Sequence, residues 1–282
     1  MFEQITILGT GLLGASIAMA ARKHRLADRI VVWSRSQDTR AQCNHVEWCD
    51  RVADTPVDAV KASQLTVLCT PVQTIVPLLE DIAPALEKGS IVTDVGSTKE
   101  NICRDAQKLS QDNFTFIGSH PMAGSEQSGM ASANVELFQS AACILTPMSG
   151  TSKAAVDQLD CFWRTVGMST HTLTPEQHDI AVAHISHLPH LLSSALCNTL
   201  SQKPLSWRQL AGGGLRDTSR IAAGDPSLWQ QILIENREAV LKSLFGFEKE
   251  LANFREILAQ KDVSALHRSL SSGKTYREGL QQ

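Results

Sequence analysis

Aromatic residues make up only 5 % of this 282-residue sequence, and tyrosine occurs once, at Tyr276. Lysine and arginine never gather into a run, and the 26 basic side chains face 29 acidic ones for a net charge of −3. A dedicated binder of nucleic acid or anionic membrane needs a basic footprint, so neither partner is expected and a small molecule is. The seven cysteines include no C-x-x-C pair. An odd number without paired spacing argues against a disulfide framework and points to a reduced, cytoplasmic protein. The N terminus, Met1-Phe2-Glu3-Gln4, carries no basic leader, small-residue cleavage site or 18-residue apolar stretch, so no targeting or membrane-spanning segment is expected. The lone tyrosine also excludes the short-chain reductases, which use a tyrosine four residues before a lysine; Leu280 stands there.

What is present is ordinary globular material, 43 % hydrophobic and 20 % charged, long enough for two domains with cores of their own. Short apolar runs at 5–8, 30–33, 65–69, 91–95, 114–118 and 142–146 suit buried parallel strands. They alternate with helical patterns at 13–23, 75–86 and 100–109, the order of a doubly wound, Rossmann-like α/β sheet. A helix at 152–166 and a strand at 169–173 follow. Strand signals then stop, and Thr174-Pro175-Glu176 reads as a helix start. The domains are therefore placed at 1–174, dinucleotide-binding, and 175–282, all-helical. In the helical part a long segment at 228–259 spaces Val240, Leu244, Phe247, Leu251, Phe254 and Leu258 by fours and threes. Such a seam packs one long helix along another, and a homodimer is the expected use, with an intrachain helix pair as the alternative.

Directly after the first strand stands Gly9-Thr10-Gly11-Leu12-Leu13-Gly14, a G-x-G-x-x-G opening into a helix. Gly9 permits the turn, Gly11 lets backbone approach a pyrophosphate, Gly14 lets helix pack on strand, and the helix N terminus attracts phosphate. At the end of the second strand an acid would favour NAD; this chain has Ser34-Arg35-Ser36. An arginine fork with two hydroxyls suits a 2'-phosphate, so NADP is expected over NAD, an ordinary solvated arginine being the alternative. Cys69-Thr70-Pro71 ends another strand and is assigned a backbone role toward the cofactor.

Two strand ends face the same crevice: Gly96-Ser97-Thr98-Lys99, and Ser119-His120-Pro121-Met122-Ala123-Gly124. His120 is the candidate base for a hydroxyl whose carbon loses hydride, with Ser97 orienting it. Downstream, His178-Asp179 is followed by His184, His187 and His190, a dense histidine cluster on one helical stretch, where His184 and His187 at i,i+3 could share a face; no carboxylate pattern or cysteine completes a metal site, and substrate contact is the preferred reading, with helix packing as the alternative. After Gly212-Gly213-Gly214, Arg216 and Arg220 at i,i+4 form a candidate carboxylate receptor.

In these motifs the chain resembles the prephenate and arogenate dehydrogenase family of tyrosine biosynthesis. The matching stretches are Gly9 to Gly14, Asp94 to Lys99, Gly118 to Gly124, Ser186 to His190 and Gly213 to Arg220. The resemblance implies an NAD(P)-dependent oxidative decarboxylation of prephenate to 4-hydroxyphenylpyruvate, or of arogenate to tyrosine, by a Rossmann domain followed by a helical dimerisation domain. It implies that His120 takes the ring hydroxyl's proton with Ser97 in support, and that Arg220 holds the ring carboxylate. It also implies that His187 and Arg216 contact the side chain, and that Glu126 makes an ionic contact across the cleft, with Arg216. No metal is needed. No chorismate mutase segment or regulatory domain is expected, so control through a separate domain is not; inhibition by tyrosine at the active site stays open. A hydroxyacid dehydrogenase using Lys99 and a non-enzymatic dinucleotide sensor are the more distant alternatives.

Overall fold

The computed structural model describes residues 1–110, 113–124, 127 and 129–280. Nine strands are present among them: β1 (Phe2–Leu8), β2 (Ala27–Trp33), β3 (Arg51–Val52), β4 (Leu65–Leu68), β5 (Ser90–Asp94), β6 (Phe114–Phe116), β7 (Gly118–Pro121), β8 (Ala142–Thr146) and β9 (Ser169–Thr172). Interleaved with them are α1 (Leu12–Lys23), α2 (Gln37–Cys43), α3 (Pro56–Ala59), α4 (Val72–Ile82), α5 (Glu100–Ser110) and α6 (Lys153–Thr165). The remainder is helical, with α7 (Pro175–Val182), α8 (Leu188–Ser201), α9 (Gly213–Ser219), α10 (Pro226–Glu235), α11 (Arg237–Gln260) and α12 (Val263–Gly279).

Strands β1 to β6 form one parallel sheet in the order β3-β2-β1-β4-β5-β6. The central strands read as unbroken apolar or small runs because helices cover both faces: β4 and β5 are buried at every position. The two faces carry separate cores. One gathers Ile5, Ile7, Ile17, Val32 and Trp163, the other Leu8, Val31, Ile75, Leu79 and Phe116.

The run at 114–118, read from sequence as one strand, is two. Sheet pairing of β6 ends at Phe116, and Gly118 begins β7, which pairs antiparallel with β8 while β8 pairs parallel with β9. A Cβ at Gly118 would meet Thr146 Oγ1 at 2.4 Å and Cys103 Sγ at 2.8 Å, so only glycine lets the chain cross there. His120 therefore lies within a strand of a second, three-stranded sheet rather than at the end of a strand of the first.

The secondary structure changes from sheet to helix between Thr172 and Pro175, whereas the compact units divide later, into Met1–Asn236 and Arg237–Gln282. In the first unit a capping box of Thr174 and Gln177 starts α7. The helical run Pro175–Ser201 is long and apolar enough by length and composition to cross a membrane, whereas the sequence analysis expects no membrane-spanning segment. Its buried Asp179, His178 and His187 are hydrogen-bonded to neighbouring elements, as suits a helix facing a protein core. In the middle of this run Ala183–His187 is a π-helical turn. Pro189, lacking an N–H, cannot continue the regular ladder. The altered turn leaves His184 exposed and His187 buried, so the two do not share a face.

The segment expected as one helix at 228–259 is broken at Asn236, between α10 and α11. In the second unit, α11 turns at Lys261 (φ 56°) into α12. Of the expected seam, Val240 is buried and Leu244, Phe247 and Phe254 are partly so, but Leu251 and Leu258 are exposed in the single chain.

Candidate active site

The glycine loop sits between β1 and α1. Gly9 has φ 102° and its missing Cβ would lie 2.6 Å from the Cys69 carbonyl oxygen; at Gly14 the Cβ would meet the Gly9 carbonyl at 1.9 Å. Around Gly11 there is open space within 4 Å, and α1 begins on it with no side-chain cap. The first amides of α1, at Leu12 and Leu13, are thus left to an anion. Opposite, Pro71 caps α4, and the Thr70 hydroxyl is buried with no hydrogen-bond partner among the described residues. A cradle open only at Gly11, beside an orphaned hydroxyl, fits a dinucleotide's pyrophosphate.

Past β2, the Ser36 hydroxyl accepts the Thr39 N–H at 3.3 Å and caps α2. Arg35 is exposed. Arg40, which the sequence reading passed over, donates to the carbonyls of Ser34 at 2.6 Å and Arg35 at 3.1 Å, bringing a second guanidinium to this loop.

His120 is 7 % exposed. Its strand is tied to the sheet by Ser119, whose hydroxyl meets Thr93 of β5 at 2.7 Å and accepts from the Trp163 indole at 3.0 Å. That tie sets His120 beside the carboxyl end of β5, where Gly96 to Lys99 lead into α5. Three residues here have no individual role in the sequence analysis: His178 and Asp179 stand there only at the head of the histidine cluster, and Asn236 does not figure at all. His120 Nδ1 lies 2.8 Å from His178 Nε2, and His178 Nδ1 lies 2.7 Å from Asp179 Oδ1. Asp179 in turn accepts the backbone N–H groups of Lys99 (2.7 Å) and Glu100 (3.0 Å) at the start of α5. Asn236, at the break after α10, donates to the Asp179 carbonyl at 2.8 Å and to His187 Nδ1 at 3.1 Å. The adjacency of His178 and Asp179 behind a helix cap was the available signal; nothing in the sequence ties Asn236 to them.

Lys99 is fully buried and its Nζ is paired with Asp94, equally buried. Committed to that pair, it does not offer a free amine to a substrate, which removes the support for a lysine-based hydroxyacid dehydrogenase. Burial holds the three histidines below the ordinary imidazole range. His120 is depressed well below it, first by desolvation and then by the neighbouring His178, Lys99 and His187 charges. His178 is lowered by burial against the opposing bond to Asp179. His187 is pushed down to about 4 by burial, with Asp179 opposing. All three are neutral at pH 7. Since Asn236 donates to His187 Nδ1, the neutral His187 carries its proton on Nε2, which is buried with no partner among the described residues.

His190 stacks on Trp229 with ring centroids 3.5 Å apart. Ser97 is half-buried, with its backbone against the His187 ring. Arg216 is exposed on α9 and Arg220 exposed in the turn after it. Glu126 lies outside the described residues. Among those described, no three His, Cys, Asp or Glu residues are grouped to hold a metal ion.

The chain matches two family models, the prephenate dehydrogenase nucleotide-binding domain over residues 17–171 and the prephenate dehydrogenase dimerization domain over 174–272. It is 34 % identical to a prephenate dehydrogenase of Bacillus subtilis (strain 168), over 99 % of this chain and 76 % of that one. Among solved structures it is similar to the prephenate dehydrogenase of A. aeolicus in complex with hydroxyphenyl propionate and NAD+ (TM-score 0.92, 28 % identity, 99 % of each chain). It is also similar to Synechocystis arogenate dehydrogenase (TM-score 0.86, 33 % identity, 98 % and 99 % of the two chains).

Proposed function

The chain belongs to the prephenate dehydrogenase family, and from that premise we propose that it oxidatively decarboxylates prephenate to 4-hydroxyphenylpyruvate as a homodimeric, cytoplasmic enzyme. The observation that carries the reading is a buried, neutral imidazole, His120, held beside the strand ends that form the dinucleotide cradle. A bound nicotinamide would supply the hydride acceptor. His120 would take the proton from the ring hydroxyl as hydride leaves the same carbon, and Ser97 would orient that hydroxyl. Carbon dioxide then departs from the opposite ring carbon, driven by aromatisation. The protein's task is to position and deprotonate.

Arg220 would hold the ring carboxylate, with Arg216 and His187 at the pyruvyl side chain. His187, neutral with its proton on Nε2, suits a keto or carboxylate oxygen. The functional division falls at 174, with residues 1–174 binding dinucleotide and 175–282 serving substrate and dimerisation. NADP is the proposed cofactor, on the loop carrying Ser34, Arg35 and Ser36 with Arg40 behind it.

Arogenate is the second reading, favoured by the likeness to the Synechocystis arogenate dehydrogenase. The two substrates differ in a keto group against an ammonium, and arginine at the side-chain pocket favours the former. Purified protein with prephenate or arogenate and excess NAD or NADP, followed at the nicotinamide absorbance band, tests both. A prephenate specificity constant above that for arogenate is expected; a tenfold preference for arogenate overturns the substrate assignment.

A further inference from the structure

We propose that His178, anchored by Asp179, is a positioning residue that holds His120 in the tautomer whose Nε2 is free to accept a proton. The inference rests on the reading of His120 as the base.

The chain of reasoning starts at the buried end. Asp179 accepts two backbone N–H groups, from Lys99 at 2.7 Å and Glu100 at 3.0 Å. These are first-turn donors of α5, where negative charge is favoured. A carboxylate so placed can only accept, so the proton in its 2.7 Å contact with His178 belongs to His178 Nδ1. Neutral His178 then has only a lone pair on Nε2. Across the 2.8 Å contact, His120 Nδ1 must therefore be the donor. With its one proton on Nδ1, neutral His120 presents Nε2 as a base.

The opposite arrangement is inactive. Were His178 protonated on both nitrogens, its Nε2–H would donate to His120 Nδ1 and leave the His120 proton on Nε2, with nothing there to accept the substrate's. The groups facing His178 oppose one another: Asp179 and Asp94 favour its charged form, while Lys99 and burial favour the neutral one, and the neutral form prevails. Once His120 has taken a proton, the same chain stabilises the imidazolium: its Nδ1–H points at the His178 lone pair, and His178 points its own proton at the Asp179 carboxylate. In this proton transfer the substrate O–H breaks and a His120 Nε2–H forms, while the hydride would leave to the nicotinamide and the carboxyl group as carbon dioxide, so His178 and Asp179 exchange no proton with the substrate.

The direct test is the ring 15N spectrum of histidine-labelled wild-type protein without substrate. His120 should show a protonated Nδ1 and a lone-pair Nε2; the reverse pattern overturns the inference whether or not His120 is the base. Two variants extend the test. His178→Leu can neither accept nor donate, and is expected to mix the His120 tautomers and lower kcat about tenfold or more, with KM and dinucleotide affinity within about twofold of wild type. In His178→Gln a side-chain carbonyl can again accept from His120 Nδ1, and most of the lost kcat should return. Full kcat in the leucine variant, or an unchanged His120 spectrum in it, overturns the proposal. Should His178→Leu fail to fold by circular dichroism, the wild-type spectrum and the glutamine variant still decide it. A fully active His120→Asn protein with the expected wild-type spectrum would instead sink the assignment of the base and leave the tautomer lock standing.

Discussion

His120 combines two properties that seldom coincide in a surface histidine: it is buried, and both its strand and its Nδ1 are fixed. Asparagine keeps the size and a donor but has no basic nitrogen. His120→Asn is therefore expected to lower kcat by on the order of a hundredfold or more with dinucleotide binding nearly intact, measured by steady-state turnover beside fluorescence titration of the cofactor. At the second strand's end, Arg35 is exposed and Arg40 is held on the loop backbone. A charge-assisted contact to a 2'-phosphate is worth about a ten- to hundredfold preference for NADP. Arg35→Asp should reverse that preference through lost attraction and added repulsion, with kcat under saturating cofactor unchanged. Wild type that uses NAD as efficiently as NADP makes Arg35 a solvated side chain. These positions were legible because local pattern marks them, a glycine loop or a histidine after an apolar run. The roles of His178, Asp179 and Asn236 were not, because they depend on partners 58, 80 and 49 positions away; the sequence shows that His178 and Asp179 are adjacent but not what they close onto, and it gives no sign of Asn236.

Among the elements, the parallel sheet was readable for a physical reason: strands covered on both faces are mainly apolar, with most of their few buried polar side chains hydrogen-bonded or paired, and the strands alternate with helices. Periodicity could not show the break at Gly118, where an apolar run continues while its pairing partner changes, nor the break at Asn236, where a polar side chain inside a helical pattern turns inward to bond Asp179 and His187. The loop from β5 to α5 shows how strongly an element can depend on charge. Lys99 and Asp94 are both sealed from solvent, and Asp94 also accepts the Gly96 N–H at 2.8 Å. Removing one member strands the other, at a cost of about 3–5 kcal/mol, whereas replacing both with apolar or neutral groups is often close to neutral. Lys99→Met should thus lower stability by that order in urea unfolding, and adding Asp94→Asn should restore a large part of it. Equal stability of wild type and Lys99→Met would mean that the pair contributes nothing to holding this loop.

For the unit spanning residues 1–236, three buried histidines set a dependence on pH that differs from ordinary acid denaturation. His120, His178 and His187 are neutral when folded and held below the usual value by burial, while in the unfolded chain each titrates near 6.5. Below about pH 6.5 the unfolded state therefore binds protons that the folded state refuses, and unfolding becomes easier as pH falls. Their full contribution to stability is present above that pH. It is lost on the way down, and for His187 the loss is complete near pH 4, where the folded ring itself titrates. His187 alone accounts for on the order of 3 kcal/mol across this window. The carboxylates with lowered values, Asp58, Asp105 and Asp160, are partly exposed and bonded to neighbouring side chains; they act only below about pH 4 and weakly. Thermal unfolding followed by circular dichroism should accordingly show Tm falling by several degrees or more between pH 7 and pH 5. His187→Gln, which keeps a polar side chain without a titrating nitrogen, should flatten part of that slope. A Tm constant over this interval would mean that these rings are not held neutral, and with it would go the argument that His120 is a ready base.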